Sequence, residues 1–157
     1  ELLQGLVPLD RLPELVRQGH LQALAVTASS YSTGDHVTFF EGDRRLMPWF
    51  RTQRFAVRDR ITHAHLLASS AIPFVFPATQ LHINGRDEYF GDGSMRQSAP
   101  VAPAIHLGAE RILVIGAGRP LMYQAQGGRP RLTWFDAGPA RADLTRAACH
   151  ALAAAEN

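Results

Sequence analysis

The sequence predicts an α/β domain with a mostly parallel central sheet and flanking helices. Short runs rich in apolar and β-branched residues alternate with segments whose apolar residues recur at helical spacing. A strand, a helix and a strand are expected in succession over 86–90, 101–107 and 111–115, an order typical of parallel pairing. With 157 residues and 46% hydrophobic residues, the chain is expected to form one domain around one core.

The N-terminal part is expected to hold a short helix followed by a β-hairpin. Apolar residues recur at helical spacing over 9–18, and Gly19 ends that helix. Two strands are expected at 21–28 and 36–40, separated by a Ser-Thr-Gly-Asp turn.

The middle of the chain predicts a helix over 61–70. Asp59 or Thr62 can serve as its N-cap, and Pro73 limits it on the C-terminal side. The proline-rich stretch that follows is expected to be a loop.

A second hairpin is expected around Asn84 and Gly85, because both residues tolerate the positive φ that a two-residue turn requires. Its strands are expected at 80–83 and 86–90. Asp92 would then lie just past the end of a strand.

The C-terminal third is expected to hold a helix over 101–107, ended by Gly108, and a buried strand over 111–115. The glycine- and proline-rich segment 116–130 is expected to be a mobile loop. An alanine-rich helix is expected over 144–155.

The charge pattern does not favour a nucleic-acid-binding protein. The formal net charge is +2, and all 16 basic residues are arginine, which indicates a compositional bias along the whole chain. Neither a zinc-ligand spacing nor an RNP-like aromatic motif accompanies the charge.

One basic segment, 44–60, holds six arginines interleaved with Met47, Trp49, Phe50 and Phe55. Such a segment can lie at a membrane interface, with its rings at headgroup level and its arginines near phosphates. The alternative is a solvated surface loop whose aromatic residues turn inward. The sequence leaves both interpretations open.

The sequence gives only a general prediction of where in the cell the protein is located. The chain has no apolar run long enough to span a membrane, and its first residues, which begin with Glu1, do not resemble a signal peptide. We expect this chain to be part of a longer protein that is cytoplasmic or peripheral to a membrane, with a secreted parent left open. The single cysteine, Cys149, suits a reducing compartment and is expected to be a packed small residue.

No cofactor or metal ion is expected. The segment 114–121, VIGAGRPL, begins like a dinucleotide-binding loop, but Pro120 and Leu121 stand where the turn and a third small residue are needed. His63 and His65 form a His-x-His pair, yet residues two apart do not share a helix face and no carboxylate cluster adjoins them. We expect ordinary surface or core histidines.

The best candidate for chemistry is Asp92, which lies between Gly91 and Gly93. Asp-Gly after a strand indicates a turn. A carboxylate presented by a closely approaching backbone can also act as a general base toward an attacking hydroxyl. The local sequence does not choose between the two.

Several segments, taken in order, resemble the C-terminal half of a patatin-like phospholipase domain. They are ASSAIPFVFP at 68–77, YFGDGS at 89–94 and SAPVAPAIHLGAERILVIG at 98–116, together with the strand pair ALAVTASSYSTGDHVTFF at 23–40. The resemblance implies part of a patatin-like three-layer domain. It also implies a serine hydrolase that uses a Ser-Asp dyad without histidine.

The resemblance assigns the dyad aspartate, the general base, to Asp92. Ser94 stands where the family motif has Gly or Ala. The family's Gly-x-Ser-x-Gly nucleophile motif and glycine-rich oxyanion loop do not occur in these 157 residues, and Ser94 cannot replace the nucleophile because Asp92, not glycine, precedes it by two. The apolar residues of 72–76 are expected either to line the acyl-chain site or to pack in the core.

The function expected from the resemblance is hydrolysis of acyl esters of lipids, with a lipid or fatty-acyl ester as substrate. This chain would supply Asp92 and the rear of the lipid pocket, and alone it would be inactive. The alternative is a non-catalytic lipid- or membrane-binding α/β module that docks through 44–60.

Overall fold

The computed structural model describes residues 2–95, 101–116 and 131–136. The chain divides into two compact units, Glu1–Ser98 and Ala99–Asn157, and each is described by itself. That the whole chain forms one domain stays a prediction.

The first unit begins with short helical segments. These are α1 (Leu2–Leu6), a 3-10 turn (Leu9–Arg11) and α2 (Leu12–Arg17). Gly19 follows α2 with φ +76°, and its N–H donates to the Val16 carbonyl oxygen. Glycine adopts this left-handed conformation at little cost, so the predicted end of the helix is confirmed.

A six-stranded sheet forms the body of this unit. Its strands are β1 (Ala23–Ser30), β2 (His36–Gly42), β3 (Phe50–Arg51), β4 (Arg54–Arg58), β5 (Thr79–Ile83) and β6 (Arg86–Asp92). They lie in the order β3-β4-β2-β1-β6-β5.

The sheet is mixed and mostly antiparallel, so the prediction of a mostly parallel sheet is wrong. Within this sheet only β2 and β4 pair in parallel. Parallel neighbours need a crossover of a dozen or more residues, whereas β1–β2, β3–β4 and β5–β6 are each joined by a short turn. The general prediction of an α/β fold is confirmed.

Both predicted hairpins are present. β1 pairs with β2, and β5 pairs with β6 across Asn84 and Gly85. Their φ angles are +51° and +77°, as the predicted two-residue turn requires.

The main helix of the unit is α3 (His63–Ser70), capped by Thr62. The Thr62 N–H donates to His65 Nδ1 at 3.1 Å, so the imidazole proton resides on Nε2. Of the two N-caps that the sequence allows, Thr62 is therefore the one used.

The hydrophobic core lies where α3 packs against β1, β5 and β6. It includes Val26, Ala28 and Phe90, all buried. The Phe39 ring contacts Phe90 and His65 edge-on, with centroids 5.4 and 4.7 Å away.

The second unit contains α4 (Val101–His106) and a two-stranded antiparallel sheet of β7 (Arg111–Gly116) and β8 (Arg131–Asp136). Gly108, with φ +94°, follows α4 as predicted. β8 was not predicted. The expected mobile loop, beyond residue 116, and the expected helix over 144–155 lie outside the described residues.

No helix in the described ranges is both long enough and apolar enough to cross a membrane.

Candidate functional site

Asp92 is the last residue of β6, the strand that lies between β1 and the edge strand β5. Its partner across the ladder is Ala28 of β1. Because directly paired residues project from the same side of a sheet, the Asp92 carboxylate shares the side of buried Ala28 and Phe90. The central strands therefore position this carboxylate.

One oxygen of the Asp92 carboxylate accepts a hydrogen bond. Asp92 Oδ1 accepts a hydrogen bond from the Ser94 N–H at 2.8 Å, and the side chain is half-buried. No other donor from the described residues hydrogen-bonds to it. Oδ2 therefore has no hydrogen-bond donor among the described residues.

The glycines on either side of Asp92 are explained by close packing. A Cβ on Gly91 would lie 2.0 Å from Tyr31 Oη, and a Cβ on Gly93 would lie 2.5 Å from the Thr27 carbonyl oxygen. Neither glycine has a positive φ, so left-handed backbone is not the reason for them. The backbone at the two glycines closely approaches Thr27 and Tyr31, and the predicted presentation of the carboxylate to a reacting group stays a prediction.

Thr27 and Tyr31 were missed by the sequence analysis. Tyr31 follows β1, and its N–H donates to the Tyr89 carbonyl oxygen at 2.8 Å. Two glycines flanking a strand end could have indicated a bulky neighbour, but the sequence does not say which residue it is.

The Asp92 backbone joins the segments 68–77 and 89–94. The Asp92 N–H donates to the carbonyl oxygen of Ala71, directly after α3, at 3.0 Å. The apolar loop 72–76 begins at the next residue, so that loop starts beside the aspartate.

That apolar loop is exposed, and the interpretation that its residues pack in the core is wrong. Ile72, Val75 and Phe76 are all exposed, and Phe74 is fully exposed with φ +66°. A left-handed conformation costs an aromatic residue about 1–2 kcal/mol. Strain at an exposed apolar residue points toward function more than toward stability.

The arginines of 44–60 fall into two groups. Arg58 donates to backbone carbonyl oxygens, including that of Gly42, and lies over the Phe40 ring. Arg45 pairs with Asp43, and this hydrogen bond lowers the pKa of Asp43 to about 2. These two arginines hold the protein's own loops together.

The other arginines of the segment are Arg44, Arg51, Arg54 and Arg60. All four are exposed, and their side chains make no hydrogen bond or ion pair with the described residues. The aromatic residues are also divided, since Trp49 stacks on buried Phe40 whereas Phe50 is exposed. Neither sequence interpretation describes the whole segment.

The two histidines of the His-x-His pair have separate structural roles. His63 Nε2 contacts the Val7 carbonyl oxygen at 3.0 Å. His65 caps α3, and its burial lowers its pKa, with Asp59 at 3.6 Å opposing the shift.

No group of three or more His, Cys, Asp or Glu residues within the described ranges is arranged to hold a metal ion. β7 covers the start of 114–121, and the rest of that segment lies outside the described residues, as does Cys149.

No family model matches the chain, and neither a curated protein nor a solved structure is similar enough to count as a match.

Proposed function

We propose that this chain supplies the general base of a lipid acyl hydrolase, a phospholipase A or esterase, that works with a Ser-Asp dyad. Asp92 is the base. In this proposal the chain is the C-terminal part of a patatin-like three-layer domain, and the nucleophilic serine and the oxyanion loop are supplied by sequence beyond the 157 residues.

The geometry of Asp92 is the observation that carries the proposal. One carboxylate oxygen is fixed by the Ser94 N–H, and the backbone is tied to Ala71, so the carboxylate has a defined orientation. A general base must be positioned within hydrogen-bond reach of the proton that it takes. In the proposal, Oδ2 of Asp92 takes the proton of a serine that is brought against the end of β6.

The exposed apolar loop 72–76 supports a lipid as the substrate. Residues 72–76 expose several large apolar side chains and start beside Asp92. Exposed apolar surface of this kind marks a binding site when it adjoins a reactive group. A lipid acyl chain lying along the loop would bring its ester bond toward the carboxylate.

In the proposed reaction, the serine hydroxyl transfers its proton to Asp92 Oδ2 as its oxygen bonds to the ester carbonyl carbon. The leaving alcohol takes that proton when the ester bond breaks, which leaves an acyl-serine. Water then attacks the acyl-serine, with Asp92 again taking and returning a proton, and the fatty acid is released. The scheme requires neither metal nor cofactor.

The test is Asp92→Asn in a longer form of the protein that carries the nucleophile. Asparagine keeps an oxygen to accept the Ser94 N–H but cannot take the proton, so we expect turnover to fall at least about 100-fold, as for loss of a general base. Asp87→Asn, an exposed aspartate of the same strand, is the control and should retain turnover. Wild-type turnover in Asp92→Asn would refute the role of Asp92.

A second experiment uses the 157-residue chain alone, which should neither hydrolyse esters nor react with a serine-directed phosphonate. Robust hydrolysis would refute the proposal that the nucleophile lies outside this chain.

The second candidate is a non-catalytic lipid- or membrane-binding module. The exposed apolar loop supports it as well, because that surface would bind lipid without the dyad. Salt-sensitive association with vesicles, without acyl release by the longer protein, would favour this candidate.

A further inference from the structure

The hairpin of β3 and β4 carries exposed cationic and apolar side chains. Arg51 and Arg54 are directly opposite each other across the hairpin. Phe50, the first residue of β3, is 75% exposed. We call Phe50, Arg51 and Arg54 the hairpin-tip surface.

The two arginines form a like-charge pair. Directly opposed like charges destabilise a strand pair. Neither guanidinium hydrogen-bonds to a carboxylate of the described residues, whereas Arg45 and Arg58 nearby are both engaged. An external anion would relieve this repulsion.

The apolar side chains decide which anion-bearing partner fits. Phe50 stacks one face of its ring on Phe55, with centroids 5.8 Å apart, and exposes the rest. Side chains alternate along a strand, so Phe50 and Phe55 project from one face of the hairpin and Arg51 and Arg54 from the other. An anionic bilayer interface that surrounds the end of this edge hairpin offers phosphates to the two arginines and an acyl boundary to Phe50. A polyanion without an apolar phase leaves Phe50 in water.

We propose that the hairpin-tip surface docks the protein on membranes rich in anionic phospholipid. This inference does not depend on the hydrolase proposal, and it names the surface and the lipid class that the membrane-binding candidate would use.

The hairpin tip is separated from Asp92 by the width of the sheet. Strand pairing places Phe50, Phe55, Val37, Ala28 and Asp92 in one transverse row. Four strand spacings of about 4.8 Å put Phe50 about 19 Å from Asp92 along the sheet. Substitutions at the tip can therefore test docking without touching the candidate base.

The test is co-sedimentation of the full chain with vesicles of phosphatidylcholine alone or mixed with phosphatidylserine, at low and high salt. We expect binding to the mixed vesicles that weakens at high salt. Arg51→Gln with Arg54→Gln should lower the partition coefficient about 30-fold, about fivefold for each basic side chain near an anionic bilayer. The control is Arg11→Gln with Arg17→Gln, which removes the same charge from exposed positions and should bind nearly as wild type.

The apolar contribution is tested separately with Phe50→Ser, which should lower the partition coefficient about tenfold because an inserted ring is lost. Leu6→Ser, at another exposed apolar position, is its control and should have little effect. These exposed substitutions should leave the circular dichroism spectrum unchanged.

Three results would overturn the proposal. The first is equal binding of the protein to neutral and mixed vesicles. The second is an equal fall in the partition coefficient for the Arg51/Arg54 variant and for the Arg11/Arg17 variant. The third is that the wild-type protein binds an oligonucleotide but does not bind mixed vesicles.

Discussion

Replacing Gly93 by alanine should destabilise the protein more than replacing Gly91, although both new methyl groups would clash. The new Cβ of Gly93→Ala would lie 2.5 Å from the Thr27 carbonyl oxygen and 2.8 Å from Thr27 Oγ1. Ordinary van der Waals contact begins near 3.4 Å, so the backbones must separate by about 0.9 Å. Thr27 belongs to β1, a central strand, which cannot shift without disturbing its ladders.

The cost of Gly93→Ala should therefore lie toward the upper end of the range for overpacking, at about 2–3 kcal/mol. The nearest atom for Gly91→Ala is the phenol end of Tyr31, a half-exposed side chain that can rotate away. We expect about 1 kcal/mol for that substitution. Urea denaturation of the full chain measures both values as shifts in midpoint at constant m.

Double-mutant cycles sharpen the comparison. In a Tyr31→Ala background, Gly91→Ala should cost almost nothing, because the clashing phenol is gone. In a Thr27→Ala background, Gly93→Ala should keep most of its cost, because the clashing oxygen belongs to the backbone. A larger cost for Gly91→Ala than for Gly93→Ala, or full relief of Gly93→Ala by Thr27→Ala, would refute this packing explanation.

Two further predictions concern His65 and Phe74. Burial lowers the pKa of His65, so as pH falls below about 6.5 the unfolded state binds more protons and the free energy of unfolding decreases. His65→Gln, which can still accept the Thr62 N–H, should flatten this pH dependence in urea denaturation between pH 5 and 7, and an unchanged slope would contradict the assignment. Phe74→Gly should raise the free energy of unfolding by about 0.5–1 kcal/mol, because glycine removes the left-handed strain at a side chain that buries nothing. A loss of stability would show that the Phe74 ring makes a stabilising contact, and Leu67→Gly, within α3, is the contrasting case that should destabilise.

The elements that the sequence predicted well are those specified by nearby residues. Asn84 and Gly85 specify their hairpin because both accept positive φ. Gly19 and Thr62 likewise mark helix ends through their own conformation or hydrogen bonds. These devices act over a few residues, so a single sequence is enough to find them.

The strand directions were predicted wrongly because they depend on contacts far apart in the chain. The order of strand, helix and strand suggested parallel neighbours, but the strands of the main sheet are joined mainly by short turns. β1 pairs with β6 across about 60 residues, and nothing local to either strand specifies that contact. The same limit hid the contacts of Thr27 and Tyr31 with the glycines beside Asp92.

The glycines around Asp92 were given two competing explanations, a turn or the presentation of a carboxylate. Side chains alternate across a strand, so Gly91 and Asp92 face opposite sides of the sheet. On one side, Gly91 and Gly93 admit Tyr31 and Thr27 against the backbone. On the other, the Asp92 carboxylate accepts the Ser94 N–H on Oδ1, and no other described residue donates a hydrogen bond to it. Tight packing behind the strand end and a positioned carboxylate in front of it are thus compatible, and an effect of Gly93→Ala on stability would not argue against a catalytic role for Asp92.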